Sequence, residues 1–366
     1  MKEIESIPNA YRTIVALRNL GYDLNSAVAD VVDNAITPTA AAYCVEIKLK
    51  LNSEKHLICR IQDDGNGMTE EELKEAMRLG AEESYSDRDL GKFGFGMKTA
   101  SLSQCNVITV VSKKRGSNIT GFRWDLSHVR ERGWKVLQLD NSEIQALLQK
   151  EGLVLGARGT IVFWDDLTWI NQEFSSYSSE KLGKNFIFQV IEDLKLHLGM
   201  VYHRFLDGSL PANRNINISV NNGKIPPWDP FCRQEPNTEN IPLTDKISCF
   251  YIPGTNIPIK FEAYLVPTKE GFSTEEAWKR AKGLLSWNDS QGYYIYRENR
   301  IIRFGGWHGT KTKDEHDKLA RISIDISSKL DPYFKLIVNK TNIKFPDTLS
   351  LHLKNNVNPL VIKKAK

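Results

Sequence analysis

The sequence predicts an α+β fold in two domains, on three observations. Helical and strand periodicities alternate along the chain, and both halves carry both kinds. A stretch rich in Ser, Asn and Gln, Asn171 to Ser179, divides the halves. At 366 residues, 41% hydrophobic and 26% charged, the chain has the length and apolar content for two or three domains with sizeable cores.

The elements follow in order. Over residues 24–36, Val28, Val31, Val32 and Ala35 fall at i, i+3, i+4 and i+7, one apolar stripe of a helix. From Tyr43 to Leu51, Val45, Ile47, Leu49 and Leu51 alternate with Glu46, Lys48 and Lys50, which predicts a half-buried strand. His56 to Gln62 reads as a second strand running into Asp63. Thr69-Glu-Glu-Glu72 is a capping box, so a helix starts there and Gly80 ends it. The polar stretch from Ala81 to Asp89 reads as a loop. Strands are expected at Val107–Ser112, Ile119–Asp125 and Thr160–Trp164, with a short helix at Ser142–Lys150. Beyond the divide, a helix over 184–205 leads to a strand at Asn215–Val220 and a hairpin signal at Asn222-Gly223. Further strands are expected at Cys249–Ile252, Ile259–Val266, Tyr293–Arg297, Arg321–Ile326 and Leu336–Val338, with a helix at Ala277–Leu285. The expected domains are 1–172, 173–350 and a tail over 351–366.

Bulk properties exclude several classes. The longest apolar runs, such as Phe186 to Ile191, are far too short to cross a bilayer, so no membrane role is expected. Met1-Lys-Glu-Ile-Glu5 lacks the apolar stretch of a secretory signal. Five cysteines with no C-x-x-C pair predict a reducing, cytoplasmic setting and give no zinc signature. His197 and His203 lie on an apolar helix pattern and read as packed side chains. A net charge of +4 permits contact with nucleic acid without requiring it. The clusters Lys113 to Arg115 and Lys363 to Lys366 read as a solvated loop and a tail.

Three segments carry chemistry. Asp30, Asp33 and Asn34 lie at i, i+3 and i+4 on the first helix, off its apolar stripe. Read alone, they make a polar helix face. Read as a site, Asp30 is placed to take a proton from water, and the Asn34 amide oxygen is a hard ligand for Mg²⁺. Asp63 leaves its strand into Asp64-Gly65-Asn66-Gly67-Met68. That run is strong turn chemistry, and equally a carboxylate held to accept an exocyclic amine such as adenine N6. Gly65 and Gly67 would let the backbone pass beneath a flat ring, and Met68 would pack on it. The third segment, Asp89 to Thr99, places Gly91, Gly94 and Gly96 among Lys92, Phe93, Phe95, Met97, Lys98 and Thr99. Glycines at that spacing bring backbone N–H groups close to phosphate oxygens, which the lysines neutralise.

In this order the three segments resemble the Bergerat-fold (GHKL) ATPases, the group of gyrase, the 90-kDa heat-shock chaperone, histidine kinases and MutL, and most closely the MORC-like branch. The family's N-box Asp-Asn-Ala matches Asp33-Asn34-Ala35, its D-x-G-x-G matches Asp63 to Gly67, and its lid motif matches Gly91 to Lys98. Gly159-Thr160 matches the fourth element, whose threonine helps hold the adenine-binding Asp and its water. Val220-Asn-Asn-Gly223, Asp229-Pro-Phe231, Gly292 to Arg300 and Val338-Asn-Lys340-Thr341 look like the transducer domain of this group.

The resemblance implies a Bergerat-fold ATPase α/β sandwich followed by a ribosomal-protein-like β-α-β transducer domain. It implies ATP and Mg²⁺ as ligands, a lid near 81–96, and Lys340 reaching the γ-phosphate beside Lys98. It further implies a homodimeric, ATP-gated clamp acting on DNA, with a protein partner as the other client, and an association with defence against foreign DNA. Most relatives with this transducer place Glu where this chain has Asp30. The carboxylate is one methylene shorter, and a misplacement of about 1 Å can cost about a hundredfold in rate. A non-hydrolysing, nucleotide-gated module is therefore the alternative reading. Against a histidine kinase, the motifs begin near residue 30 and no histidine precedes His56. Against a heat-shock-type chaperone, 366 residues do not hold its middle and dimerisation domains.

Overall fold

The computed structural model describes residues 3–4, 6–19, 21–80, 96–211, 214–334 and 343–365. The chain packs as two compact units, Met1–Leu194 with Ile216–Ile225, and Lys195–Asn215 with Pro226–Lys366. The first unit thus runs past residue 172, through most of the helix that follows, and regains a hairpin from further along the chain.

In the first unit, α1 (Ala10–Arg18) and α2 (Leu24–Ile36) precede β1 (Cys44–Leu51) and β2 (Leu57–Asp63). Next come α3 (Glu70–Met77), α4 (Gly96–Gln104), β3 (Cys105–Lys113), β4 (Thr120–Asp125) and α5 (Leu126–Arg132). Then follow β5 (Leu137–Gln138), α6 (Asn141–Glu151), β6 (Gly159–Leu167), α7 (Thr168–Ser176) and α8 (Glu180–Val201). The hairpin of β7 (Asn217–Val220) and β8 (Gly223–Lys224) completes a sheet in the order β5-β4-β3-β6-β2-β1-β7-β8, antiparallel except at β1–β7. Asn221 and Asn222 turn that hairpin at φ +49° and +64°, one position before the expected Asn222-Gly223, and Gly223 already pairs with Val220 in β8. The Asn221 amide then bonds both Leu49 N–H and Leu49 C=O, extending the ladder by a side chain.

Several elements follow directly from local chemistry. Asp23 caps α2 by accepting from Ser26 N–H. The capping boxes Thr69/Glu72 and Asp140/Glu143 open α3 and α6. α3 ends at Met77, before Gly80, with Arg78 already extended at ψ 127°. The sheet has two differently covered faces. Val111, Ile161 and Phe163 pack with Ile144 and Leu148 of α6. Because side chains alternate along a strand, Val110, Ser112, Thr160 and Val162 belong to the opposite face. There α4 packs on β3 and β6, and α2 packs on β2 and α4.

The second unit is built on a sheet of β9 (Glu239–Ile241), β10 (Cys249–Tyr251), β11 (Pro258–Leu265), β12 (Gly292–Arg297), β13 (Arg300–Phe304) and β14 (Ala320–Ile326). Its order is β10-β11-β14-β12-β13, with β9 on β11 and a parallel pair at β12–β14. Its strand β12 is buried on both faces. Tyr293 and Ile295 face a core shared with Leu349, Leu353, Val357 and Val361, while Tyr294 and Tyr296 pack with Met200, Trp228 and Phe231. Arg297 and Asp331, both buried, form a two-pronged ion pair at 2.9 and 2.8 Å. Residues 351–366, expected as a tail, are helical from Asp347 to Ala365 and bury their apolar stripe. The helix expected at 277–285 spans Glu275–Ala281, and that expected over 184–205 begins at Glu180 and breaks at Tyr202.

Candidate functional site

Three strands bring one row of polar side chains together. Asp63 on β2 lies directly opposite Thr160 on β6, and Thr160 directly opposite Ser112 on β3. Residues paired this way share a face, with Cβ atoms about 5 Å apart. The face is the one covered by α2 and α4, because the neighbouring Gln62 and Ile161 belong to the α6 side, where Gln62 Nε2 donates to Val154 C=O. The Ser112 hydroxyl is 2.9 Å from Thr160 Oγ1 and 3.2 Å from Gly159 C=O, either of which its one proton can reach, and it accepts from Met68 N–H at 2.9 Å.

Asp63 is half-buried and accepts from Gly65 N–H at 2.8 Å. Desolvation dominates its titration and pushes the carboxyl up to about 7. The N–H groups of Gly65 and Thr160 pull the other way, while the Asp64 charge adds to the rise. A carboxylate kept at that cost on a sheet face marks a candidate site. Asp64 does a different job: its Oδ1 accepts from Tyr43 and Cys44 N–H, fixing the start of β1.

The glycines of the turn answer to the protein's own backbone, where a ligand ring was expected to explain them. A Cβ on Gly65 would stand 2.8 Å from both Ala40 O and Asp63 Oδ1. A Cβ on Gly67 would run into the Lys113 carbonyl, and Gly67 sits at φ +67°. Gly67→Ala therefore loses stability on the order of 3 kcal/mol, measured by denaturant unfolding, because collision and strain act together. Met68 beside it is half-buried, and Asn66 is held by Arg158 and by Thr39 C=O.

On α2, Asp30 and Asp33 are both buried, 4% and 0% exposed, so this helix face does not meet solvent. The cause is packing: α2 lies against both α4 and β2. Tyr22 Oη donates to Asp30 Oδ2 at 2.8 Å, and Gln104 at the end of α4 donates to Tyr22 C=O. Asn34, one turn beyond Asp30, is half-buried. On α4, Lys98 and Thr99 are buried, and the Lys98 ammonium donates to Arg78 C=O. Met97 is half-buried, and α4 begins at Gly96. Gly91, Lys92, Phe93, Gly94, Phe95 and Lys340 lie outside the described residues, as does the strand expected at Leu336–Val338.

The donor set suits Mg²⁺ bound through a single protein oxygen, that of Asn34, with phosphate and water supplying the remainder. Among the described residues no group of three acidic, His or Cys side chains could hold a metal alone, and a site of this kind needs none. Among the described residues no helix is long and apolar enough to cross a membrane. Sequence reasoning missed Tyr22 and Ser112. Ser112 carried a signal, a hydroxyl that directly follows the buried apolar pair Val110 and Val111 on β3. Lys114, read as part of a solvated loop, pairs with Glu72 at 2.5 Å.

No curated protein matches the chain. Residues 22–153, which hold α2, the Asp63 strand and its turn, α4 and Ser112, match the family model of the histidine kinase-, DNA gyrase B-, and HSP90-like ATPases, a match that supports ATP binding by this stretch and fits its mixed α+β fold.

Proposed function

We propose that the first unit binds and hydrolyses Mg-ATP and that the chain works as an ATP-gated homodimeric clamp on DNA, in the MORC-like and MutL-like branch of these ATPases. The observation carrying this reading is the row Asp63–Thr160–Ser112 on the sheet face covered by the helices of Asp30, Asn34 and Lys98. Asp63 accepts from adenine N6, with Thr160 beside it, and Gly65, Gly67 and Met68 shape the turn below. Asn34 supplies the protein ligand to Mg²⁺, which when bound draws charge from the phosphate oxygens. Asp30, held by Tyr22, takes the proton of the attacking water. Lys98 leaves Arg78 C=O for the phosphates, joined by the segment Gly91 to Gly96 and by Lys340, and together they stabilise the charge that develops. Asp30 in place of Glu favours a second reading, a nucleotide-gated module without turnover.

Sedimentation tests the clamp. A non-hydrolysable ATP analogue should convert the chain to a dimer and ADP should not. Binding to duplex DNA should then fall steeply as salt rises. A chain that binds the analogue yet stays monomeric, or whose DNA binding ignores salt, contradicts this part of the reading.

A further inference from the structure

Ser112 is fully buried, and its hydroxyl sits at a junction with two hydrogen-bonding arrangements. One lone pair is occupied by Met68 N–H. In one arrangement the Ser112 proton goes to Gly159 C=O, 3.2 Å away, and Thr160 donates to Ser112. Thr160 then presents a lone pair. In the other, the Ser112 proton goes to Thr160 Oγ1, the closer acceptor at 2.9 Å, and the Thr160 proton is left to donate away from Ser112. The two arrangements read different bases. Adenine offers a donor at N6 beside an acceptor at N1, whereas guanine offers an acceptor at O6 beside a donor at N1. Asp63, opposite Thr160, is the acceptor half of an adenine reader. Thr160 is the donor half only if it receives the Ser112 proton.

We propose that Ser112 is a positioning residue that aims the Thr160 hydroxyl proton at the base, directly or through one water, and so makes the site read adenine over guanine. This rests on the reading of the site as an ATP site. Ser112 touches no ligand in this role; it acts through Thr160. A merely structural role, through its bond to Met68 N–H, would weaken all purine nucleotides alike.

Calorimetric titration with Mg-ATP and with Mg-GTP separates these cases. Wild type should prefer ATP by about a hundredfold or more. Ser112→Ala should cut that ratio at least about tenfold, and Ser112→Thr, which keeps the hydroxyl, should restore it. Ser112→Cys keeps the shape with a weak donor and should also lose the ratio, which covers the case where the alanine variant fails to fold. Equal weakening of both nucleotides, or an unchanged ratio in both the alanine and cysteine variants, overturns the proposal while leaving the ATP site standing. Wild type that is folded and binds neither nucleotide removes the ATP site, and the role of Ser112 with it.

Discussion

Asp63→Asn should abolish ATP binding and, at pH 8, raise the melting temperature of the ligand-free protein. The two effects share one cause. The Asp63 carboxyl is pushed up to about 7, chiefly by desolvation, so the folded state holds a proton there that the unfolded chain has lost. Stability therefore falls as pH rises from about 4 to about 7, by at most about 1.4 kcal/mol per pH unit, and the cost is fully present above 7. An uncharged asparagine escapes that cost and still accepts from Gly65 N–H. The variant should melt several degrees higher at pH 8, with the difference vanishing below about pH 4. Binding moves the other way. An amide cannot replace a carboxylate that serves both Gly65 N–H and an adenine amine, so affinity should drop at least about a hundredfold. Wild type should bind ATP about tenfold more weakly at pH 6 than at pH 8, since the acceptor is then mostly protonated. Thermal melts across pH beside nucleotide titrations check all of this. A variant that is less stable at pH 8, or binds ATP normally, would remove Asp63 from the site.

The second large effect is on turnover. Asp30→Asn should bind Mg-ATP with wild-type affinity and release phosphate about 10²–10⁴-fold more slowly. The substitution is nearly isosteric, and its amide oxygen can still accept from Tyr22 Oη, so the fold around α2 is kept. A steady-state phosphate-release assay with a parallel binding titration gives the comparison. Asp30→Glu carries the second reading: turnover faster than wild type marks a hydrolase slowed by its short carboxylate. Binding without turnover in wild type and in both variants marks a nucleotide-gated module.

Much of the first unit was legible because its signals are local. The stripe of α2, the alternation of β1 and the capping box of α3 each need only a few neighbouring residues. The candidate site was legible as a set of motifs, yet its layout was not. Nothing local says that Ser112 on β3 pairs with Thr160, or that the acidic side chains of α2 are buried where it packs against α4 and β2. The glycines of the Asp63 turn were given to a ligand when a backbone carbonyl 46 positions away, at Lys113, already requires one of them. The C-terminal segment was misread for a different reason. Leu349, Leu353, Val357 and Val361 recur every four residues, a spacing that drifts around an ideal α-helix. A wider π turn over Leu353–Val357 takes up the drift and keeps all four on one buried face. β13 was missed because its hairpin turns on Glu298 and Asn299 at φ +49° and +73°, and a glutamate is an unusual residue there.

The most direct measurement is amide hydrogen exchange on the wild-type chain with and without a non-hydrolysable ATP analogue and Mg²⁺. Protection should concentrate in three places: residues 63–68, Gly159 and Thr160, and the stretch of α2 from Asp30 to Asn34. Protection confined to other segments, or none at a concentration where the analogue is bound, would contradict an ATP site built on the Asp63–Thr160–Ser112 row.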